Sequence, residues 1–134
     1  MVSWNNLDTL ASFKELANVK PACLTEVMSG DSGADRVKKY SIPMAAGLSY
    51  NYASKQVDED VLSALEKLAD EAQLADKFKA LYNGEVVNTG EKRLVLHHMT
   101  RGQLGDAVEA DGVDKRTFYK TQQERIAEFA NKVH

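Results

Sequence analysis

The segment Val57-Asp58-Glu59-Asp60, set directly before Val61, Leu62, Leu65, Leu68, Ala69 and Ala72, constrains this chain most. An aspartate ahead of an apolar run accepts from the orphan amides of a helix start, and further acids complement the positive helix end. Asp58 is therefore read as an N-cap, with Val57 placed to staple against Leu62. The apolar residues recur at helical period opposite Asp60, Glu66, Lys67, Asp70 and Glu71, so one face is buried and the acids are read as a solvated face rather than paired catalytic carboxylates. Leu74, Phe78 and Leu81 form a second short stripe, and Gly84 after Asn83 is placed to close it in a left-handed turn. Two prolines and eight glycines in 134 residues are too few punctuators for a sandwich of many short strands. The fold class expected is mostly α (α+β).

The flanking segments extend that pattern. Leu7, Leu10, Phe13, Leu16 and Ala17 predict a helix over 7–18 with Asn6 as its cap, closed before Pro21. Leu24, Val27 and Met28 predict a short second helix. Ser29-Gly30-Asp31-Ser32-Gly33 reads as a loop, with Ser32 capping one further turn through Lys38. Alternation over 40–53 about Ala45-Ala46-Gly47 predicts one small β-hairpin, with Pro43 on an edge because it cannot donate to a ladder. A polar turn at 88–93 leads into a short apolar segment, Leu94 to Met99, read as a buried turn or two of helix. Residues 103–113 read as an exposed loop. Asp114 is expected to cap the last helix, with Val113 stapling to Phe118 and Tyr119, Gln122, Ile126, Phe129, Ala130 and Val133 on its inner side. That stripe runs on to His134 with no closing glycine, as at a cut end.

A net charge of −3 gives no global field toward phosphate backbones, so nucleic acid is disfavoured as a partner. The lone Cys23 has no second thiol to pair with, which fits a reducing, cytoplasmic setting. The start lacks the basic and apolar regions of a secretion signal, and no stretch approaches the roughly 20 apolar residues of a spanning helix, so no membrane partner is expected. Common catalytic signatures, including glycine-rich phosphate loops and His-Glu-x-x-His, are absent. His97 and His98 are neighbours and point about 100° apart on a helix, a poor arrangement for one metal ion, so hydrogen-bonded structural roles are favoured. Lys92, Arg93 and Arg101 bracket the apolar segment. They could hold an anion, but ion pairing with Glu85, Glu91 or Asp106 is the favoured role.

The order of three segments is more specific. Asn51-Tyr52-Ala53-Ser54-Lys55-Gln56-Val57 precedes the acid-capped helix. Leu81-Tyr82-Asn83-Gly84-Glu85-Val86-Val87-Asn88 follows it, and then Glu91-Lys92-Arg93-Leu94-Val95-Leu96-His97. This resembles the N-terminal region of the glucose-6-phosphate isomerase family over residues 40–101, extending through Asp111-Gly112 and the final helix. Asn88, Glu91, Arg93, Val95, Leu96, His97 and Arg101 carry the most specific part. Ala53, Thr89-Gly90 and His98-Met99-Thr100 depart from the pattern, as in a divergent bacterial branch.

The resemblance implies a helical N-terminal domain over 1–134, truncated before the sugar-isomerase domains of a cytoplasmic, glycolytic homodimer. It implies interconversion of glucose 6-phosphate and fructose 6-phosphate through an enediol, without metal or organic cofactor. The family's catalytic glutamate, histidine and lysine and its phosphate loop lie downstream, so no catalytic, substrate-binding or metal residue is carried over and the fragment alone is expected to be inactive. Arg93, His97 and Arg101 are assigned to packing or contact with the missing domains. The rival readings are a free-standing non-catalytic helical interaction module and, more weakly, a small metal-assisted enzyme using His97 or His98.

Overall fold

The structure, a computed structural model, describes residues 2–102 and 105–134. Among the described residues it contains six α-helices and three two-stranded antiparallel pairs, which is the mostly helical class expected. The chain divides into two compact units, one of residues 6–72 and the other of residues 2–5 with 73–134.

In the first unit the expected N-terminal helix is broken. Leu7–Thr9 form a 3-10 turn and α1 begins only at Ala11–Asn18. Asn6 does not cap with its side chain; its carbonyl instead accepts from Thr9 Oγ1 at 2.6 Å and Thr9 N at 3.2 Å. The α1 start is satisfied from far along the chain, because Glu71 accepts from the amides of Ala11 (3.3 Å) and Ser12 (2.8 Å) and from the Ser12 hydroxyl. A carboxylate at the positive end of a helix is the arrangement its dipole favours.

Helix α2 spans Leu24–Val27, as expected. The loop expected over 29–33 is instead the N-cap residue and the first turn of α3, Gly30–Lys39. Gly33 accounts for the difference. Its position is buried, and a Cβ there would lie 2.4 Å from the carbonyl oxygen of Met28, so the glycine permits a close backbone approach rather than a loop. Strands β1 (Ser41–Pro43) and β2 (Ser49–Asn51) form the expected hairpin, pairing Ile42 with Tyr50 and Pro43 with Ser49. Helix α4, Glu59–Glu71, packs on α1, and Asp58 caps it by accepting from Val61 N at 3.0 Å.

In the second unit α5 covers Leu74–Tyr82 and Gly84 turns the chain at φ +73°. A Cβ at Gly84 would lie 2.3 Å from Val108 Cγ1, so this position needs glycine for both its dihedral and its space. Two further strand pairs replace expected loop or helix. β3 (Val86–Asn88) pairs with β4 (Arg93–Leu94), and β5 (Glu109–Ala110) pairs with β6 (Val113–Asp114). Asp111 and Gly112 join the second pair with φ of 53° and 71°, a two-residue connection whose twist matches the strands it links. The helix expected over 94–99 is only a 3-10 turn, His97–Thr100, whose Met99 is fully buried. The exposed loop expected over 103–113 contains this β5 to β6 pair and the buried Val108, while positions 103 and 104 lie outside the described residues.

Helix α6, Lys115–Val133, starts as expected on Asp114, which accepts from Arg116 N (3.1 Å), Thr117 N (3.3 Å) and Thr117 Oγ1 (2.5 Å). Its expected inner stripe is half-buried at Tyr119 and Gln122 but uncovered beyond them: Ile126, Phe129 and Val133 are 67%, 68% and 68% exposed, and Val113 and Phe118 are exposed as well. Among the described residues the buried apolar set is Ala22, Tyr40, Ala53, Ala64 and Ala72 in the first unit and Ala80, Met99 and Val108 in the second, with alanine predominating.

Candidate functional site

With so little apolar bulk inside, buried arginines carry much of the long-range order. In residues 6–72, Arg36 donates from Nε to the Ala53 carbonyl (2.8 Å) and from Nη2 to those of Lys55 (2.9 Å) and Val57 (2.7 Å). Its guanidinium lies 4.3 Å from the centroid of the Tyr40 ring. The clamp thus holds residues 53–57, the segment that leads into the Asp58 cap. The same neighbourhood joins Tyr40 and Lys39 to Glu59, at 3.1 and 2.8 Å. The Lys39 ammonium, followed by the Tyr40 hydroxyl, holds the Glu59 carboxyl below the ordinary carboxylate range, and Glu59 in turn raises Lys39. Burial, reinforced by Glu59, raises Tyr40. Glu71 is held low chiefly by the Ser12 hydroxyl. Asp60, Glu66, Asp70 and Glu71 are exposed, as expected of a solvated face, and Glu71 serves in addition as a structural acceptor.

In the other unit Arg116 plays a matching part. It is buried, donates from Nη2 to the Tyr82 carbonyl at 2.8 Å and from Nε to the Asp106 carbonyl, and lies 5.5 Å from the Tyr82 ring centroid. The Tyr82 carbonyl also meets His98 Nε2 at 3.2 Å, with the two rings stacked at 4.8 Å. His98 thus has the structural role expected of it, with one ring nitrogen engaged. His97 does not share it, because its position is exposed. Neither buried arginine stands out in the sequence, since a lone arginine among polar neighbours is normally a surface residue.

The three singled-out positions are not gathered into one site. His97 and Arg101 are exposed at either end of the 3-10 turn, which α6 steadies through Gln123 Nε2 on the Thr100 carbonyl at 2.7 Å. Arg93 is exposed and meets Glu91 at 3.9 Å, so one ion pair of the expected network is present. Among the described residues, no ion pair involves Lys92 or Arg101. Arg93 and Lys92 do line a cleft of about 410 Å³ with Leu94, Lys115, Phe118 and Tyr119. Among the described residues there is no group of three His, Cys, Asp or Glu side chains placed to hold a metal ion, and no helix is long and apolar enough to cross a membrane.

The phosphoglucose isomerase family model matches residues 51–134, well over half of the sequence. The chain belongs to the phosphoglucose isomerase family. Among similar proteins, the glucose-6-phosphate isomerase of Treponema denticola is 42% identical over 99% of this chain and 26% of its own length. That of Borreliella afzelii is 41% identical over 100% of this chain and 25% of its own, and that of Shewanella woodyi 37% identical over 82% and 20%. The chain spans about a quarter of the length of the first two relatives.

Within the phosphoglucose isomerase match lie both halves of the Arg116 cluster, the Asp58 cap and the basic cleft. Two asparagines set local turns in this region. Asn88 Oδ1 accepts from Glu91 N at 3.1 Å and sets the turn before Arg93, while Asn51 Oδ1 accepts from Ala53 N at 3.1 Å at the end of β2.

Proposed function

We propose that this chain is the N-terminal helical domain of a glucose-6-phosphate isomerase, and that the reversible aldose-ketose conversion is performed only together with sugar-isomerase domains outside these 134 residues. One observation carries the proposal: the regular apolar stripe of α6 is about two-thirds exposed at Ile126, Phe129 and Val133, as on a helix whose partner belongs to a longer polypeptide. The quarter-length coverage of the relatives supports the same reading. A free-standing interaction module would need its own partner for that stripe.

In the proposed whole protein, a cytoplasmic homodimer, this domain supplies scaffold rather than acid or base. Arg93, His97 and Arg101 are all exposed and are suited to meet the remaining domains. A coupled assay tests this. The 134-residue chain is expected to give no turnover of fructose 6-phosphate, whereas the complete polypeptide turns over. In the complete polypeptide, Arg93→Ala, His97→Ala and Arg101→Ala are expected to weaken assembly more than they change KM. Turnover by the purified 134-residue chain itself overturns the proposal.

A further inference from the structure

The cleft of about 410 Å³ between the β3 to β4 turn, the β5 to β6 turn and the start of α6 shares only Arg93 with the residues assigned above to interdomain contact. Its rim is basic in a chain of net charge −3, because Lys92, Arg93 and Lys115 all line it. Two of these cations come from the polar turn and the third from residues more than 20 positions later, brought together by the two hairpins. Lys92 sits at φ 53°, a conformation that a non-glycine residue adopts only where its surroundings impose it.

The counter-charges present are weak. Lys115 is largely sheltered, with its side chain 23% exposed, yet its Nζ faces Asp111 at 3.4 Å and the Asp111 side chain is 90% exposed. Arg93 reaches Glu91 only at 3.9 Å, both side chains being well exposed. The solvated Arg93–Glu91 pair contributes little, and an acceptor carrying more than one charge competes with the exposed Asp111 for Lys115. Lys92 makes no ion pair among the described residues. The rest of the wall is the Asp111 carboxylate together with apolar and aromatic groups, Leu94, Phe118 and Tyr119 among them, and the two rings meet edge to face at 5.7 Å and 83°. That arrangement leaves an aromatic surface beside the cations, against which a flat ring can lie.

We propose that this cleft binds a nucleoside monophosphate, with Lys92, Arg93 and Lys115 around the phosphate and the base against Phe118. A volume of this order suits a ligand of that size. Neither an inorganic anion nor an uncharged nucleoside uses both halves of the cleft. The binding does not depend on isomerase activity, so it stands or falls separately from the function proposed above.

Titration of the 134-residue chain by amide-resolved NMR tests the assignment, with AMP, adenosine, inorganic phosphate and glucose 6-phosphate as separate probes. AMP is expected to shift saturably the amides of 92–96 and 115–119 and to bind at least about ten-fold more tightly than any of the other three. Lys115→Gln is expected to weaken AMP binding by about ten-fold or more, Phe118→Leu by a few-fold, and Lys132→Gln not at all. The Lys115→Gln variant keeps the Asp114 cap, so a folded spectrum accompanies the loss. Shifts confined to other residues, equal binding of phosphate or glucose 6-phosphate, no saturable binding of AMP, or unchanged AMP affinity in folded Lys115→Gln would each overturn the proposal.

Discussion

Arg36 and Arg116 do the same work in the two units and do it unequally well. Each is buried, each donates to main-chain carbonyls distant in sequence, and each lies over a tyrosine ring. Arg36 satisfies three carbonyls within 53–57. Arg116 satisfies two, at Tyr82 and Asp106, and its Nη1 has no acceptor among the described residues. The difference shows how a chain with an alanine-rich interior acquires long-range order. A guanidinium with several fixed donors can organise a loop that apolar packing alone would leave loose. The saturated clamp should therefore be the costlier one to lose, because three carbonyls lose their donors at once.

Arg36→Ala should give the largest effect, a loss of about 3–5 kcal/mol in urea unfolding followed by circular dichroism. Trp4 belongs to the other unit, with Lys77 Nζ 5.6 Å from its ring, so its fluorescence should move less than the dichroism. Equal movement of both signals would break the comparison. Met99→Ala should come next, at about 2–4 kcal/mol, now seen first in Trp4 fluorescence, because a fully buried side chain leaves a cavity. Arg116→Ala should cost less than Arg36→Ala, about 2–3 kcal/mol. A larger loss than for Arg36→Ala would show that the count of satisfied carbonyls is the wrong measure.

Gly84→Ala should cost about 1–2 kcal/mol through its left-handed dihedral and the clash with Val108, and should lower the melting temperature of the second unit.

The smallest effect is on pH. Glu59, Glu71 and Asp114 all have carboxyls held below their ordinary values, Glu59 by Lys39, Glu71 by Ser12 and Asp114 by the Thr117 hydroxyl. Because the folded values lie below the unfolded ones, of about 4.3 for Glu and about 3.9 for Asp, their stabilisation is complete above that range. It is lost as pH falls through the folded values. Two of the three lie in 6–72, so dichroism should respond to acid before Trp4 fluorescence. Ser12→Ala should flatten the acid limb of the first signal alone; an unchanged profile would remove Glu71 from this account.

What could be read from the sequence was whatever is fixed within about one turn. Asp58 and Asp114 cap where their spacing placed them, the 40–53 hairpin forms, and Gly84 closes α5. The departures have two causes, contacts reaching beyond a single turn and strands too short to show a pattern. Gly33 looks like a loop residue until Met28 is seen against it, and Asn6 looks like a cap until Glu71 is found serving the start of α1 from 59 positions away. The β3 to β4 and β5 to β6 pairs are two or three residues long, too short for alternation to be visible. In the cleft, Lys92 and Arg93 were recognisable as a basic pair, but Lys115 and the aromatic wall join them only through the fold.

Helix α6 is about 28 Å long at 1.5 Å per residue, and every residue from Gln123 onward is exposed. A rod anchored at one end unwinds from the other, so deuterium should enter the amides of 126–133 quickly in this polypeptide alone. Once a companion surface closes over Ile126 and Phe129, the same amides should exchange slowly. The tail of the helix is thus a built-in gauge, readable by mass spectrometry, of whether a partner surface covers it.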